Sequence, residues 1–358
     1  MINDSSSRTG HPQRWFLILG AGLGFVWLFA SFWPLGSDYF YTFRPVPEAF
    51  FHGKTRLYDE QSIGYYNLPW SVFLLYPTLF ASLPVGQALI LTSSVLGLLF
   101  SVQVVAHSSA FRLLILTMAL ANLHTFDLLI RGNIDGFLSL GLGLGWLGLQ
   151  RKNPLILGAG LWLLSIKPVN VILPGLVLVY GFWAWPWRQR LLVLAPLAIT
   201  IALSLPLFGL DWPMRYWNAI NAHPPFIELQ TSLWRVLALV GVGRAWAYGL
   251  FAAVIFVFIV ALSRIQVVTA MTFAAALVIN LVFSPYTLGS HYVLLAPVLV
   301  LLAQTNPLFM TTWLLTFTPL ARLFWGQAAA PIDSVYPIAL MLGLGYVTRH
   351  SLASAVSK

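Results

Sequence analysis

Long apolar runs separated by short polar breaks dominate the chain, and they set its predicted elements. Apolar segments fall at about 15–34, 68–83, 86–106, 133–149, 154–167, 168–185, 191–208, 244–262, 267–283, 291–304, 306–325 and 331–348. Most reach the roughly 17–25 residues a membrane-spanning helix needs, and none alternates in the manner of a barrel strand. The pattern predicts an all-α polytopic membrane protein with about 12 transmembrane helices. Proline closes or opens several segments, at Pro69, Pro84, Pro154, Pro168, Pro307 and Pro331. Within helices, Pro174, Pro196 and Pro297 are expected to produce kinks.

One stretch resists this scheme. Residues 111–130 (FRLLILTMALANLHTFDLLI) are long enough to cross, yet a crossing there would invert every later loop. A re-entrant pair of half-helices broken near Asn122–His124 keeps the loops in register; a short extra crossing is the other solution. Only 35–67 and 209–243 exceed a simple connection, and long loops on one face commonly carry function. The expected organisation is a tail at 1–14, a single transmembrane domain at 15–348 and a second tail at 349–358.

Charge orients these elements. Arg8, Arg14, Arg151, Lys152, Arg188, Arg190, Arg264, Arg349 and Lys358 share one side in this assignment. The positive-inside rule makes that side cytoplasmic, with both termini on it. Apart from Asp4, the carboxylates fall at the outer face: Asp38, Glu48, Asp59, Glu60, Asp127, Asp135, Asp211, Glu228 and Asp333. This is the arrangement of a multi-pass plasma-membrane protein whose working face is outside.

Composition agrees and narrows the choice. The 358 residues are 59% hydrophobic and only 8% charged, far from the balance of a soluble domain. No cysteine is present, which removes disulfides, thiolate ligands and thiol nucleophiles. The net charge of +9 comes from basic residues scattered singly at helix ends, which suits anionic headgroups and not nucleic acid. No internal repeat is visible, which argues against inverted-repeat transporters.

In so apolar a chain, isolated polar groups stand out. Ser37 to Pro69 (SDYFYTFRPVPEAFFHGKTRLYDEQSIGYYNLP) holds four of the ten acidic residues together with Arg44. Asp38, directly after the first apolar run, is either a general base kept partly from water or a hydrated helix-end residue. Lys167, in LWLLSIKPVNVILPG, has no other charge for many residues on either side. It is either a phosphate-holding cation or a lysine that snorkels to the interface. Arg131-Gly132-Asn133-Ile134-Asp135-Gly136 makes a compact polar break, where Arg131 could pair with Asp135, Asp127 or an anion. His291 opens an apolar run. Gln230, Thr231, Ser232 and Arg235 end the second long loop, with Ser232 a candidate helix cap. Trp212, Trp217, Trp234 and the Tyr65–Tyr66 pair suit an interfacial belt, and some could stack on sugar rings.

Taken in order, these elements resemble the GT-C membrane glycosyltransferases, in particular glycosyltransferase family 87, which includes polyprenyl-phosphate-mannose-dependent mannosyltransferases. The resemblance covers about residues 35–300. It is carried by Asp38 after the first helix, the G-x-x-x-L-Y-D run from Gly53 to Asp59, and YYNLPWSVFLLYPTLFASLP with Tyr66 and Asn67. It continues through Gly132-Asn133-Ile134-Asp135, GAGLWLLSIKP with Lys167, QTSLWRVL and SPYTLGSHYVLLAPVLVLL. Asn133 and Asp135 stand where the family has Gln and Asn, and its Y-P-P is reduced to Asn67-Leu68-Pro69.

The resemblance implies a GT-C bundle and inverting transfer of a hexose, mannose first, from a polyprenyl-phosphate carrier to a lipid or glycan hydroxyl at the outer face. Asp38 would be the base. Lys167, His291, Arg131, Asn133, Asp135, Tyr66, Asn67, Gln230, Ser232, Arg235 and Arg44 would bind substrate. The expected partners are that donor, the acceptor and membrane lipids, with no metal and no cofactor beyond the lipid-linked donor. A non-catalytic carrier of lipid-linked sugars, or a membrane scaffold, is the alternative.

Overall fold

The structure is a computed structural model that describes residues 11–54, 56–59, 64–106, 112–223 and 230–356. Asp4, Arg8, Glu60, Glu228 and Lys358, placed above from sequence, lie outside the described residues. Among the described residues every regular element is helical, and the one extended pairing is a single antiparallel bridge between Gln230 and Leu288. An apolar solvent leaves backbone polar groups no partner but one another, and helices satisfy them within a single segment.

Among the described residues, four helices are long and apolar enough to cross a membrane: Leu83–Val105, Trp187–Phe208, Arg244–Leu262 and Ala328–Arg349. Trp187–Phe208 and Arg244–Leu262 have only 17% of their apolar window buried, against 61% for Leu83–Val105. The first two turn most of their apolar surface outward, which in an aqueous protein would be costly and in a bilayer is not. The protein is mostly helical and partly embedded in a membrane.

Several of the other expected spans are shorter than the sequence pattern suggests. In chain order the helices are α1 (His11–Phe32), α2 (Pro45–Phe51), α3 (Ser71–Leu75), α4 (Leu83–Val105), α5 (Arg112–Leu120), α6 (Leu123–Arg131), α7 (Asp135–Gln150) and α8 (Pro154–Leu164). They continue with α9 (Ile172–Trp183), α10 (Trp187–Phe208), α11 (Trp212–Ala222), α12 (Leu233–Leu239), α13 (Arg244–Leu262), α14 (Ala270–Phe283), α15 (Ala296–Thr305), α16 (Arg322–Trp325) and α17 (Val335–Val356). The segment expected at 68–83 is α3 followed by a 3-10 turn at Tyr76–Phe80, only ten residues together. That expected at 306–325 is a 3-10 stretch, Pro307–Ala321, running into α16. Hydropathy registers how apolar a run is; proline and polar breaks decide how far its helix continues.

The pair at 111–130 breaks where expected. Asn122 accepts a hydrogen bond from the Thr125 N–H and starts α6, and α5 and α6 meet at 54°. Pro196 lies inside α10, as does Pro206. Pro174 and Pro297 sit instead in the first turns of α9 and α15, where the missing N–H costs no helical bond, so they begin helices and do not kink them.

Helix α7 is the centre of the bundle, packed against α4 on one side and α8 on the other. Gly136 makes the α4 contact possible: a Cβ there would strike Ser94 on α4. This fixes the N-terminus of α7, and with it Asp135, at the core. Helix α8 is 11 residues long, a rise of about 16 Å. That is roughly half the hydrocarbon thickness of ~30 Å. The break after α8 carries Lys167, whose side chain is buried, so this break lies inside the bundle.

Candidate functional site

The site grows from the turn between α6 and α7. Gly132 closes α6 in the left-handed region (φ +70°), and the Gly132 and Asn133 N–H groups donate to the Leu129 and Leu128 carbonyls. A Cβ on Gly132 would lie 2.8 Å from the Tyr39 Cβ, so glycine lets the chain after α1 press against the turn. Gln87 of α4 holds that chain from the other side. Its side-chain oxygen accepts from the Gly36 N–H at 2.7 Å and its amide donates to the Pro34 carbonyl at 2.7 Å.

These contacts deliver Asp38 to Asn133, whose Nδ2 donates to the Asp38 Oδ2 at 2.9 Å. The Asn133 Oδ1 accepts from the Asp135 N–H at 3.1 Å, so the asparagine is locked at both ends. Burial holds the Asp38 carboxyl above its ordinary pKa of 3.8; the Arg131 guanidinium, the Asn133 hydrogen bond and the Lys167 charge pull it back in part. Arg131 pairs with Asp127 at 2.7 Å, the first of its expected partners to be met.

Beneath this lies a buried charged group. The Lys167 Nζ donates to the Asp135 Oδ1 at 3.0 Å and lies 2.9 Å from the His291 Nε2. The His291 Nε2 is 3.3 Å from the Asp135 Oδ2. Lys167 is 4% exposed and Asp135 and His291 are fully buried, which excludes the snorkelling reading. The Leu288 N–H donates to the His291 Nδ1 at 3.0 Å, so a neutral ring carries its own proton on Nε2, facing Asp135. The carboxylate accepts a hydrogen bond from Lys167, while its Oδ2, beside His291, has no hydrogen-bond partner among the described residues.

An aromatic wall flanks this group. The Lys167 ammonium is 5.5 Å from the centre of the Tyr286 ring, and Tyr286 meets His291 edge-on at 5.3 Å and Tyr66 at 5.8 Å. The chain at the end of the first long loop is tied directly to the Lys167 turn, because the Leu68 N–H donates to the Ile166 carbonyl at 2.8 Å. Asn67 is buried, and its carbonyl accepts from the Tyr58 hydroxyl at 2.6 Å. The second long loop arrives through Gln230 and Thr231: Gln230 bridges Leu288, the Thr231 N–H donates to the Thr287 carbonyl at 2.8 Å, and the Tyr292 hydroxyl donates to the Thr231 carbonyl at 2.7 Å.

One expectation changes here, the cap at Ser232, and Arg235 and Arg44 find their places. Ser232 precedes α12 but makes no capping bond; its hydroxyl is buried with no hydrogen-bond partner among the described residues. Arg235, one turn on, has a buried Nε in the same condition. Arg44 stands apart from the cluster. Its guanidinium donates to the carbonyls of Thr78 (2.5 Å), Leu79 (3.2 Å) and Ala81 (3.0 Å) and pairs with Glu48, so it closes the end of the Tyr76–Phe80 turn.

Sequence reading missed other members. Gln87 was visible as an amide inside an apolar helix, a signal of internal bonding. Tyr286 lies within the SPYTLGS stretch. Asp333, assigned above to the outer face, is fully buried in an ion pair with Arg322. A Cβ on Gly289 would touch Arg322, Asp333 and Asp127 together, so this second charged knot adjoins the first. His124 packs nearby between Tyr336 and Tyr292.

The charges nearly cancel. Asp38, Asp127 and Asp135 against Arg131 and Lys167 make three negative and two positive groups, a sum of −1 with His291 neutral. Protonating Asp38 brings the sum to zero. The arrangement can therefore accept a proton at Asp38 without building charge in a poorly hydrated place. Among the described residues, no three His, Asp or Glu side chains are grouped to hold a metal ion. Comparisons with protein-family models, with curated proteins and with solved structures find no match.

Proposed function

We propose that this protein is an inverting glycosyltransferase that moves a hexose from a polyprenyl-phosphate carrier to a hydroxyl acceptor at the outer face of the plasma membrane. The observation that carries the reading is the placement of Asp38. Its carboxylate is oriented by Asn133, has its pKa raised by burial, and shares a connected polar network with Asp135, Lys167 and His291. The sequence resemblance to glycosyltransferase family 87 supports the same reading, and with it a GT-C-like bundle of about 12 crossings with both termini cytoplasmic. Mannose is the first candidate sugar.

In this reaction the acceptor oxygen attacks the anomeric carbon from the face opposite the phosphate. Its proton passes to Asp38, the new C–O bond forms, and the bond from the anomeric carbon to the phosphate oxygen breaks. The electron pair leaves with the polyprenyl phosphate, which becomes a dianion. The transition state resembles an oxocarbenium ion, as at other glycosidic centres. Lys167 and Arg131 offer fixed positive charge to the departing phosphate, and neutralisation of Asp38 coincides with the arrival of that second negative charge. Both cations already have carboxylate partners, so phosphate binding requires them to be shared with Asp135 and Asp127.

The test is transfer from a radiolabelled polyprenyl-phosphate hexose panel into a membrane lipid extract by purified wild type and Asp38→Asn. Transfer by wild type alone supports the reading and names the sugar. Donor binding without transfer by either protein favours a non-catalytic carrier of lipid-linked sugars.

A further inference from the structure

Between the two outer loops lies a cavity of about 250 Å³ that the reaction as described does not use. Tyr58 and Tyr66 line it, and Asp59, Asn218, Ala222, His223 and Arg215 are among the residues that line it with them. The walls are fastened across the loops. The Tyr66 hydroxyl donates to the His223 carbonyl at 2.7 Å, and the Tyr216 hydroxyl donates to the Tyr66 carbonyl at 3.2 Å.

Tyr58 takes a left-handed backbone (φ +71°), a costly conformation for a residue with a Cβ. Its hydroxyl bond to Asn67 and ring contacts with Tyr65 and Tyr216 hold it there. Strain maintained in this way tends to mark ligand clamps.

We propose that this cavity receives the hexopyranose end of the acceptor, so that the acceptor is a glycan-bearing molecule and the cavity is its subsite. The assignment rests on the glycosyltransferase reading above. A pyranose ring has a flat C–H face and an edge of hydroxyls. It needs an aromatic wall and short-range donors and acceptors around it, which Tyr66 and the Asp59, Asn218 and His223 side chains supply. The volume is below the ~300–1,000 Å³ of sites for drug-sized ligands, as suits a single ring.

A phosphate headgroup is the poorer fit, because Arg215 is already committed. It donates to the carbonyls of Leu57 (2.8 Å) and Phe208 and pairs with Asp211 at 3.1 Å and Asp59 at 3.6 Å. The cavity also stands in the right place. Tyr66 is one ring contact from Tyr286, which faces Lys167 and His291. On the other side, a Cβ on Gly64 would lie 3.8 Å from the hydroxyl of Thr42, four residues after Asp38. A sugar seated there lies beside Tyr66, one ring contact from the Lys167 and His291 side of the site.

The experiment uses the full chain in a sugar-free detergent. Saturation-transfer NMR measures binding of methyl α-mannopyranoside, with inorganic phosphate as competitor, to wild type, Ala222→Trp and Asn218→Ala. Transfer assays give the acceptor KM of the same proteins. Ala222 lines the cavity at an exposed position, so a tryptophan there fills it without entering the core. The expected result is saccharide binding by wild type that phosphate does not displace, weakened about tenfold or more by Ala222→Trp and less by Asn218→Ala, with a matching rise in acceptor KM.

Absence of binding by wild type, equal binding by wild type and both folded variants, or displacement by phosphate would overturn the subsite. Turnover with unchanged acceptor KM in both variants overturns the subsite and leaves the enzyme reading standing. Saccharide binding that Ala222→Trp abolishes, in a protein that transfers nothing from any donor, overturns the enzyme reading and leaves the cavity a saccharide site.

Discussion

Asn133 and Asp38 are 95 positions apart in the chain, yet the amide of one donates to the carboxylate of the other at 2.9 Å. The same asparagine accepts from the Asp135 backbone, so the carboxylate is oriented by a side chain that has no freedom of its own. In the proposed reaction Asn133 is thus a positioning residue, and its replacement should act through Asp38.

Asp38→Asn removes the base and keeps an oxygen for Asn133 to donate to. Turnover should fall by about 10²–10⁴-fold, as for loss of a general base elsewhere. Folding should not suffer. Because the folded-state pKa of Asp38 is raised, its contribution to stability is fully present below the unfolded value and is lost as pH rises through the folded value. At neutral pH the variant should melt at the same or a higher temperature than wild type, and the difference should vanish below about pH 3.8. Melting curves at both pH values check this, and a lower Tm at neutral pH would refute it.

The acid side of the rate profile reports Asp38. Turnover should rise with pH through a value above the ordinary 3.8. Arg131→Gln removes the largest influence that lowers this pKa, so the limb should move to higher pH. Asn133→Asp should move it the same way by setting a second carboxylate against the first. A pH series of kcat for the three proteins decides; an unmoved limb in both variants would remove Asp38 as the titrating group.

Lys167 and Asp135 form a buried pair, with side chains 5% and 0% exposed. Lys167→Met alone leaves an uncompensated carboxylate and should cost about 3–5 kcal/mol. The double variant Lys167→Met/Asp135→Leu should recover most of that stability and none of the activity. Chemical denaturation of the three proteins measures the coupling, and a fully active double variant would exclude Lys167 from phosphate stabilisation.

Arg44 binds three carbonyls at the end of the Tyr76–Phe80 turn. Arg44→Met should lower the melting temperature and leave the apparent donor affinity unchanged. A donor affinity that falls while the Tm holds would restore the substrate-binding role expected from sequence.

Gly132→Ala places a side chain in the left-handed region and against Tyr39. It should destabilise the protein by about 1–3 kcal/mol. Because it moves the turn that carries Arg131 and Asn133, the loss of turnover should exceed what the unfolded fraction explains; activity per folded molecule is the measurement.

Much of this site is legible in the chain because charge is scarce. In an apolar sequence each lone Asp38, Lys167 or His291 marks a place where desolvation must be offset, and that requirement is a property of one residue in its local surroundings. The same holds for the helical character of the whole, since apolar solvent leaves the backbone no other choice. Partner identity is a different quantity. Lys167 meets His291 across 124 positions, and Arg44, set among the acids of the first long loop, meets three backbone carbonyls as well as Glu48. Ser232 looks like a cap and makes no capping bond; Asp333 looks like an outer-face acid and is buried with Arg322. Helix lengths diverged for a related reason: hydropathy accumulates along a run regardless of geometry, whereas a helix stops where its ladder is broken, as at Ala81, whose extended backbone ends the Tyr76–Phe80 turn. Composition and spacing were thus enough to say what kind of protein this is and which residues are expensive to bury. Which of them share a site was decided by close packing at Gly132 and Gly136, where short-range contacts set distances that no sequence separation encodes.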